Sequence, residues 1–330
     1  MELERSLGVT RVARVTGLDR LGVEVACAVR PGGHVLQVAN GKGLSWAQAR
    51  ASALSEAAEL WAAERVTQED LVYGARKELP NAWSAAELGS AGALVAPRLW
   101  SDETRIAWRR ARELGSGKEV LVPAQAVHCP PQGAPPLGPA LIRWSTNGMG
   151  AHPLRRAALR HALLEALERD QLARSLPRGW TARAVRERMI DPRTLPRAVR
   201  ALVTQFAGEG LHAYLFDLSG DVPLAGAILV DDGPVPITAG YACGSLLGAL
   251  LEAAQSRLTD IHGAREDVAA GDAAGLREAC ARVKPLRDAR AMPRLGAFPR
   301  RAAVVDLAPR GFPLHVVKVI VPGLVVSELL

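Results

Sequence analysis

Aromatic side chains are scarce in this 330-residue chain: Phe, Trp and Tyr together make up 4%. A core must be built mainly from Ala, Leu and Val, which the 48% apolar content can supply. Cysteine is sparse too. Cys27, Cys129, Cys243 and Cys280 lie far apart and form no Cys-x-x-Cys pair, which argues against a structural zinc site. No apolar run reaches the roughly 18 residues a membrane span needs. The opening Met1-Glu2-Leu3-Glu4-Arg5 is charged and lacks the apolar centre of a signal peptide. The expectation is a cytoplasmic protein with reduced thiols and no membrane contact. Two phosphate-binding signatures are also missing. Without Gly-x-x-x-x-Gly-Lys-Ser/Thr a P-loop NTPase is disfavoured, and without Gly-x-Gly-x-x-Gly after a first strand so is a dinucleotide fold.

What is present is a basic surplus of +7 and a pI near 9.7. Such a balance favours acidic partners: nucleotides, nucleic acid or acidic peptides. No Lys/Arg block interleaved with aromatics occurs, so dedicated nucleic-acid binding is not expected. Pro and Gly are frequent but spread out, which excludes a collagen-like chain or a long disordered tract. No linker stands out, so one domain over residues 1–330 is expected.

Alternating apolar positions predict strands over 9–15, 23–29 and 34–39. Ala49, Ala53, Ala57 and Leu60 recur at helical spacing and predict a helix of about twenty residues from Ser45. Residues 72–138 read as loops with short strands at 105–108 and 120–127. Further helices are predicted over 154–176, with Pro153 in the first turn, and over 245–262. Strands are predicted at 211–218, 225–230, 302–307 and 315–321. The fold class is α+β, with mixed or antiparallel sheets.

One pattern occurs three times. Asn40-Gly41-Lys42-Gly43 precedes Ala53-Leu54-Ser55-Glu56-Ala57-Ala58-Glu59. Asn147-Gly148-Met149-Gly150 precedes Ala162-Leu163-Leu164-Glu165-Ala166-Leu167-Glu168. Ala239-Gly240-Tyr241-Ala242 precedes Ala249-Leu250-Leu251-Glu252-Ala253-Ala254-Gln255. Each reads as a glycine turn entering a half-apolar helix, then Ala-Leu-x-Glu-x-x-Glu/Gln. Residues i and i+3 share a helical face, so the paired carboxylates repel unless water or a cation faces them. If two such helices face each other, Glu56, Glu59, Glu165 and Glu168 form a four-carboxylate cluster. Magnesium takes oxygen ligands of this kind and shares them with substrate phosphates. Lys42 sits in the first glycine segment, within reach of a phosphate, and Arg169 follows the second carboxylate pair.

These residues resemble the YcaO family over nearly the whole chain. Gly8-Val9-Thr10-Arg11-Val12-Ala13 and Thr16-Gly17-Leu18-Asp19 resemble its opening strand. Gly41-Lys42-Gly43 with Ser52 to Glu59 resembles its first nucleotide motif. Ser145-Thr146-Asn147-Gly148 with Glu165 to Asp170 resembles its second. Glu252-Ala253-Ala254-Gln255-Ser256-Arg257-Leu258-Thr259, with Gly263-Ala264-Arg265-Glu266-Asp267, resembles its third. The resemblance implies ATP and Mg2+, with Glu56, Glu59, Glu165 and Glu168 holding the metal. It places Ser52, Lys42, Asn147, Arg169, Glu252 and Gln255 around the nucleotide, Glu252 as the weaker candidate. The implied activity is O-phosphorylation of a peptide backbone amide after a nucleophile attacks its carbonyl carbon.

The chain ends without the proline-alternating tail of azoline-forming members, and no leader-binding domain is expected ahead of residue 1. Its opening strand and the Gln-Ser-Arg-Leu-Thr block look like members that act with a TfuA partner, where sulfide makes a thioamide. A peptide or protein substrate, a TfuA-like sulfur-delivery partner and a homodimer follow as expectations. The alternatives are an azoline-forming cyclodehydratase and a non-catalytic peptide-binding scaffold. The scaffold reading rests on the second motif, where His152-Pro153 and Ala157-Ala158 replace an amide and a carboxylate, with Arg155, Arg156 and Arg160 nearby. The seven histidines lack ligand spacing and read as structural, with His152 beside the nucleotide segment the exception. Cys27 and Cys243 read as core thiols.

Overall fold

Three antiparallel sheets carry the fold in the computed structural model, which describes residues 2–84, 88, 100–233, 236–259, 273–294 and 301–324. The first sheet is β1 (Arg11–Arg14), β2 (Glu24–Val29) and β3 (Val38–Gly43), in that order. The second contains β4 (Leu71–Ala75), β5 (Arg105–Glu113), β6 (Glu119–Pro123), β7 (Met149–His152), β11 (Ala303–Asp306) and β12 (His315–Ile320). Its order is β4-β5-β11-β12-β7, with β6 also on β5. The third is β8 (His212–Asp217), β9 (Leu224–Val230) and β10 (Ile237–Cys243), ordered β10-β9-β8. Among the described residues the helices are α1 (Glu2–Leu7), α2 (Trp46–Glu64), α3 (Arg155–Ser175), α4 (Ala182–Arg188), α5 (Arg197–Gly208), α6 (Leu246–Thr259) and α7 (Ala273–Arg282). The α+β class with antiparallel sheets is as the sequence implies. Residues 263–267 of the third motif and the last residues of the predicted third helix lie outside the described residues.

The glycine segments are strands, not turns. Gly41 lies inside β3, Gly150 inside β7 and Gly240 inside β10, and none has positive φ. Their role is close approach. A Cβ on Gly41 would overlap Ala49 O and Ala53 N of α2. One on Gly150 would meet Ala158 O and Ala162 N of α3, and one on Gly240 would overlap Ala249 O and Ala253 N of α6. Each strand thus rests directly on the backbone of its helix, with Ala on the helix side to match. The third predicted strand consequently begins at Val38 rather than 34 and runs through the glycines. β4, β7 and β10 were not foreseen, because Gly and small residues hide their strand character. Pro153 lies one position before the N-cap Leu154 of α3, not in its first turn.

The three strand–helix units close into a ring. α2 packs on β3 and reaches β7; α3 packs on β7 and reaches β10; α6 packs on β10 and reaches β3. β3, β7 and β10 are each the edge strand of their sheet. Three sheet edges therefore point toward one centre, and backbone N–H groups there need acceptors other than a neighbouring strand. Apolar clusters pack outside the ring. One joins α2, β2 and β7 through Ala53, Ala57, Ala26 and Met149; another joins β9 to α5 and α6 through Leu229, Phe206 and Leu250.

Candidate nucleotide and metal site

The centre of the ring is a cavity of about 660 Å3. Lys42 from β3, Ser52, Glu56 and Glu59 from α2, Glu165, Glu168 and Arg169 from α3, and Glu252 and Gln255 from α6 all line it. The sequence candidates from three separate motifs are brought together, with one exception. Asn147 does not line the cavity; its carbonyl instead accepts a 2.7 Å hydrogen bond from Lys318 Nζ.

The strand glycines fix how the three helices correspond. Ser52, His161 and Glu252 each directly precede the Ala that touches its glycine, and all three line the cavity. The third Ala-Leu-x-Glu match is therefore one helical turn out of register with the first two. Glu252 stands where Ser52 and His161 stand, not where Glu56 and Glu165 stand. It forms an ion pair with Lys42 across the α6–β3 contact. That register also singles out His161, which reading by motif alone passes over.

Two of the four paired glutamates serve the neighbouring sheet edge. Glu59 accepts a 2.8 Å bond from Ala151 N of β7, and Glu168 a 2.9 Å bond from Cys243 N of β10. Glu56 is bonded by the backbone of Asn40 on the strand of its own unit, β3, and Glu165 faces the cavity most freely. Glu165 Oε2 is buried without a hydrogen-bond partner, and its other oxygen lies 4.0 Å from Arg169. Among the described residues no three His, Cys, Asp or Glu side chains converge tightly enough to bind a metal unaided. The glutamates ring the cavity rather than forming the tight cluster that their spacing suggests.

Burial, with added repulsion from neighbouring glutamates, pushes Glu56 and Glu168 up to about 7. The same causes hold Glu59 well above the usual carboxylate range. Burial opposes the charge on Lys42, but the attraction of Glu252 outweighs it and raises the ammonium above its ordinary value. Beyond Lys42 and Arg169, a further cation that no motif marks lies nearby. Lys318 of β12 is 3% exposed and lies under the wall; it donates to Ser145 O at 2.5 Å and Asn147 O at 2.7 Å. Burial lowers it to about 8, while Glu165 and Glu59 pull the other way.

The residues present fit a magnesium nucleotide. Beside Glu165 Oε2, the buried Asn40 Oδ1, Arg169 Nε and Gln255 Oε1 also lack partners, and all four residues line the cavity. Hard carboxylate and amide oxygens suit Mg2+, and a guanidinium and an ammonium suit phosphates. His152 lines the cavity too, with its Nδ1 accepting from Leu154 N at 2.9 Å. Arg155 turns away to Asp306 at 2.8 Å, and neither Arg156 nor Arg160 lines the wall. Cys243 is not a core thiol but a lining residue. Burial pushes it up to about 11, with Glu168 adding to the effect, which disfavours a thiolate nucleophile.

Residues 40–302 match the family profile described as YcaO cyclodehydratase, ATP- and Mg2+-binding. The chain belongs to the YcaO family. ATP and Mg2+ are the ligands of that family. Its relatives include a Methanothermobacter thermautotrophicus protein, 34% identical over 79% of this chain and 68% of its own length. Another is a Rhizobium leguminosarum bv. trifolii protein of the tfuA 3' region, 30% identical over 98% of this chain and 85% of its own. Among solved structures, a YcaO from Methanopyrus kandleri bound with AMPPCP and Mg2+ superposes with a TM-score of 0.69 at 23% identity, covering 98% of this chain and 88% of that one. A heterocyclase in complex with substrate and cofactor gives 0.75 at 17% identity, covering 98% of this chain. This YcaO chain spans about half the length of that heterocyclase, 52%. These likenesses carry the fold. Among the described residues no helix is long and apolar enough to cross a membrane.

Proposed function

We propose that this YcaO chain uses ATP and Mg2+ to activate a backbone amide of a peptide or protein for thioamide formation with a TfuA-like partner. The observation that carries this reading is the convergence of carboxylates, cations and orphaned amide oxygens from three helices and β3 on one cavity. ATP supplies the phosphoryl group that turns the amide oxygen into a leaving group once a nucleophile has added to the carbonyl carbon. Glu56, Glu59, Glu165 and Glu168 hold the metal. Ser52, Lys42, Arg169 and Gln255 contact the nucleotide, with Glu252 setting the position of Lys42. Phosphoryl transfer is catalysed chiefly by positioning and charge neutralisation, which this ring of fixed charges provides.

The sulfur branch is supported by the relative named for the tfuA 3' region. Four free cysteines and the need for ATP support a cytoplasmic setting. The homodimer rests on the family resemblance.

The test is mass spectrometry of a candidate peptide coexpressed with this chain and its TfuA-like partner. Exchange of one oxygen for sulfur is expected. Loss of one water instead would move the chain to the azoline-forming branch. Glu56→Gln and Glu168→Gln should each lower ATP consumption at least ~100-fold. Unchanged peptide binding by those variants, with no ATP consumption by the parent under any condition, would leave a non-catalytic scaffold.

A further inference from the structure

The basic surplus of the chain is not spread evenly. Residues 178–200 hold seven arginines against Glu187 and Asp191. Residues 273–294 hold six Arg and Lys against Glu278 and Asp288. These two segments carry a surplus of nine positive charges, while the whole chain carries +7, so the rest of the molecule is slightly acidic. They are far apart in sequence but joined in space. Ile190 bridges to Arg287, Arg287 Nε donates to Glu187 O at 2.9 Å, and Ala289 N donates to Thr194 Oγ1 at 2.9 Å.

Within this basic region, α4 and α7 pack side by side and leave a groove of about 610 Å3. Its floor is apolar: Ala182, Ala279, Val283 and Leu286, the last 71% exposed. Its walls carry Arg186, Arg282 and Lys284 against one carboxylate, Glu278, which pairs with Arg282 at 2.6 Å and leaves the lining with a surplus of two positive charges. Among the described residues the groove shares no lining residue with the central cavity. An apolar floor between cationic walls selects an occupant with apolar side chains on one face and carboxylates on its flanks. Among the described residues no Phe, Tyr or Trp lines the groove, so they offer unpaired bases no stacking platform, which favours a protein segment over single-stranded nucleic acid.

We propose that the α4–α7 groove is a docking surface for an acidic, amphipathic segment of a protein partner. Complementary charge steers the approach, and the apolar floor supplies the buried contact. The surface is independent of the nucleotide reading, because none of the proposed ATP or metal residues belongs to it.

The test uses the whole chain and three fluorescent probes in anisotropy titrations. The first is a synthetic helical peptide with Leu along one face and Glu on both flanks. The second is the same peptide with Lys for Glu, and the third is a short single-stranded RNA. The acidic peptide should bind, weaken as salt rises, and outcompete both others. The double variant R186E/R282E should lose at least ~10-fold in affinity. Ala182→Trp, at an exposed position, keeps the charges and obstructs the floor; it should lose affinity too. Fluorescent nucleotide binding should be unchanged in both variants, which certifies their folding and separates this proposal from the ATP reading. Equal binding of the acidic peptide by parent and variants, no preference for it over the Lys peptide, or tighter binding of RNA would each overturn the proposal.

Discussion

Glu56 and Glu168 sit at about 7, well above the ordinary 4.5, because burial and neighbouring carboxylates disfavour their charge. The folded protein therefore binds these protons more tightly than the unfolded chain does. Between pH 4.5 and about 7 the metal-free protein loses stability as pH rises, by an order of 1–3 kcal/mol for each group, and the cost persists above that window. Glu56→Gln removes one of the charges. The variant should melt above the parent at pH 8 without metal and close to it at pH 4.5. Magnesium nucleotide should raise the parent more than the variant, because added cations compensate the charge only where it exists. Thermal melts across this range check the sign; a parent melting temperature that climbs from pH 5 to 8 without metal would refute it. The identity of these glutamates was legible in the sequence, since their spacing and half-apolar helices marked them. Their individual hydrogen bonds were not, because Ala151 N and Cys243 N come from other strands.

At the scale of elements, the unit is a glycine-bearing edge strand laid on an alanine-bearing helix. Substituting Gly41 or Gly240 by Ala puts a methyl into the backbone of α2 or α6 and must lift the helix from its strand. Since these helices carry the cavity side chains, both substitutions should cost about 3 kcal/mol or more and weaken nucleotide binding together with stability. Gly17→Ala is the control: nothing lies within 4 Å of its added Cβ, and it should be near neutral. Denaturant unfolding of the three variants decides the point. Helices α2, α3 and α6 were readable from their alanine periodicity. The strands β7 and β10 and the glycine half of β3 were not, because a glycine inside a strand and one in a turn look alike when the packing partner is unknown. For the same reason the third motif was placed one helical turn away from its true correspondence.

At the scale of the whole molecule, the ring must be closed by contacts between distant segments. Arg257, at the end of α6, donates to Asp19 at 2.7 Å and to Asp231 at 2.8 Å, and Arg20 reaches the same Asp231 at 2.8 Å. Arg257 and Asp231 are both buried. The Asp19 of the opening motif and the Arg257 of the third motif thus form one buried network that ties the first sheet to the third. Their joint presence in the resemblance has a structural cause rather than a nucleotide one. Arg257→Met leaves Asp19 without its guanidinium partner and Asp231 with Arg20 alone, and should cost about 3 kcal/mol. Loss of nucleotide affinity in that variant should follow unfolding and be restored by lower temperature, whereas Glu168→Gln should lose function while folded. Circular dichroism beside nucleotide titration separates the two.

The sequence by itself determined the family, the α+β class, the three acidic helices and a set of site candidates of which all but Asn147 line the cavity. These depend on local spacing and composition, which a linear chain carries in full. The tertiary structure decided which glutamates bond a neighbouring sheet edge, that Lys318 rather than the Asn147 side chain belongs beneath the wall, and that two basic segments distant in sequence meet in space. Each of these depends on which distant segments become neighbours, and the apolar and backbone contacts that set this act only once the chain has closed into its ring.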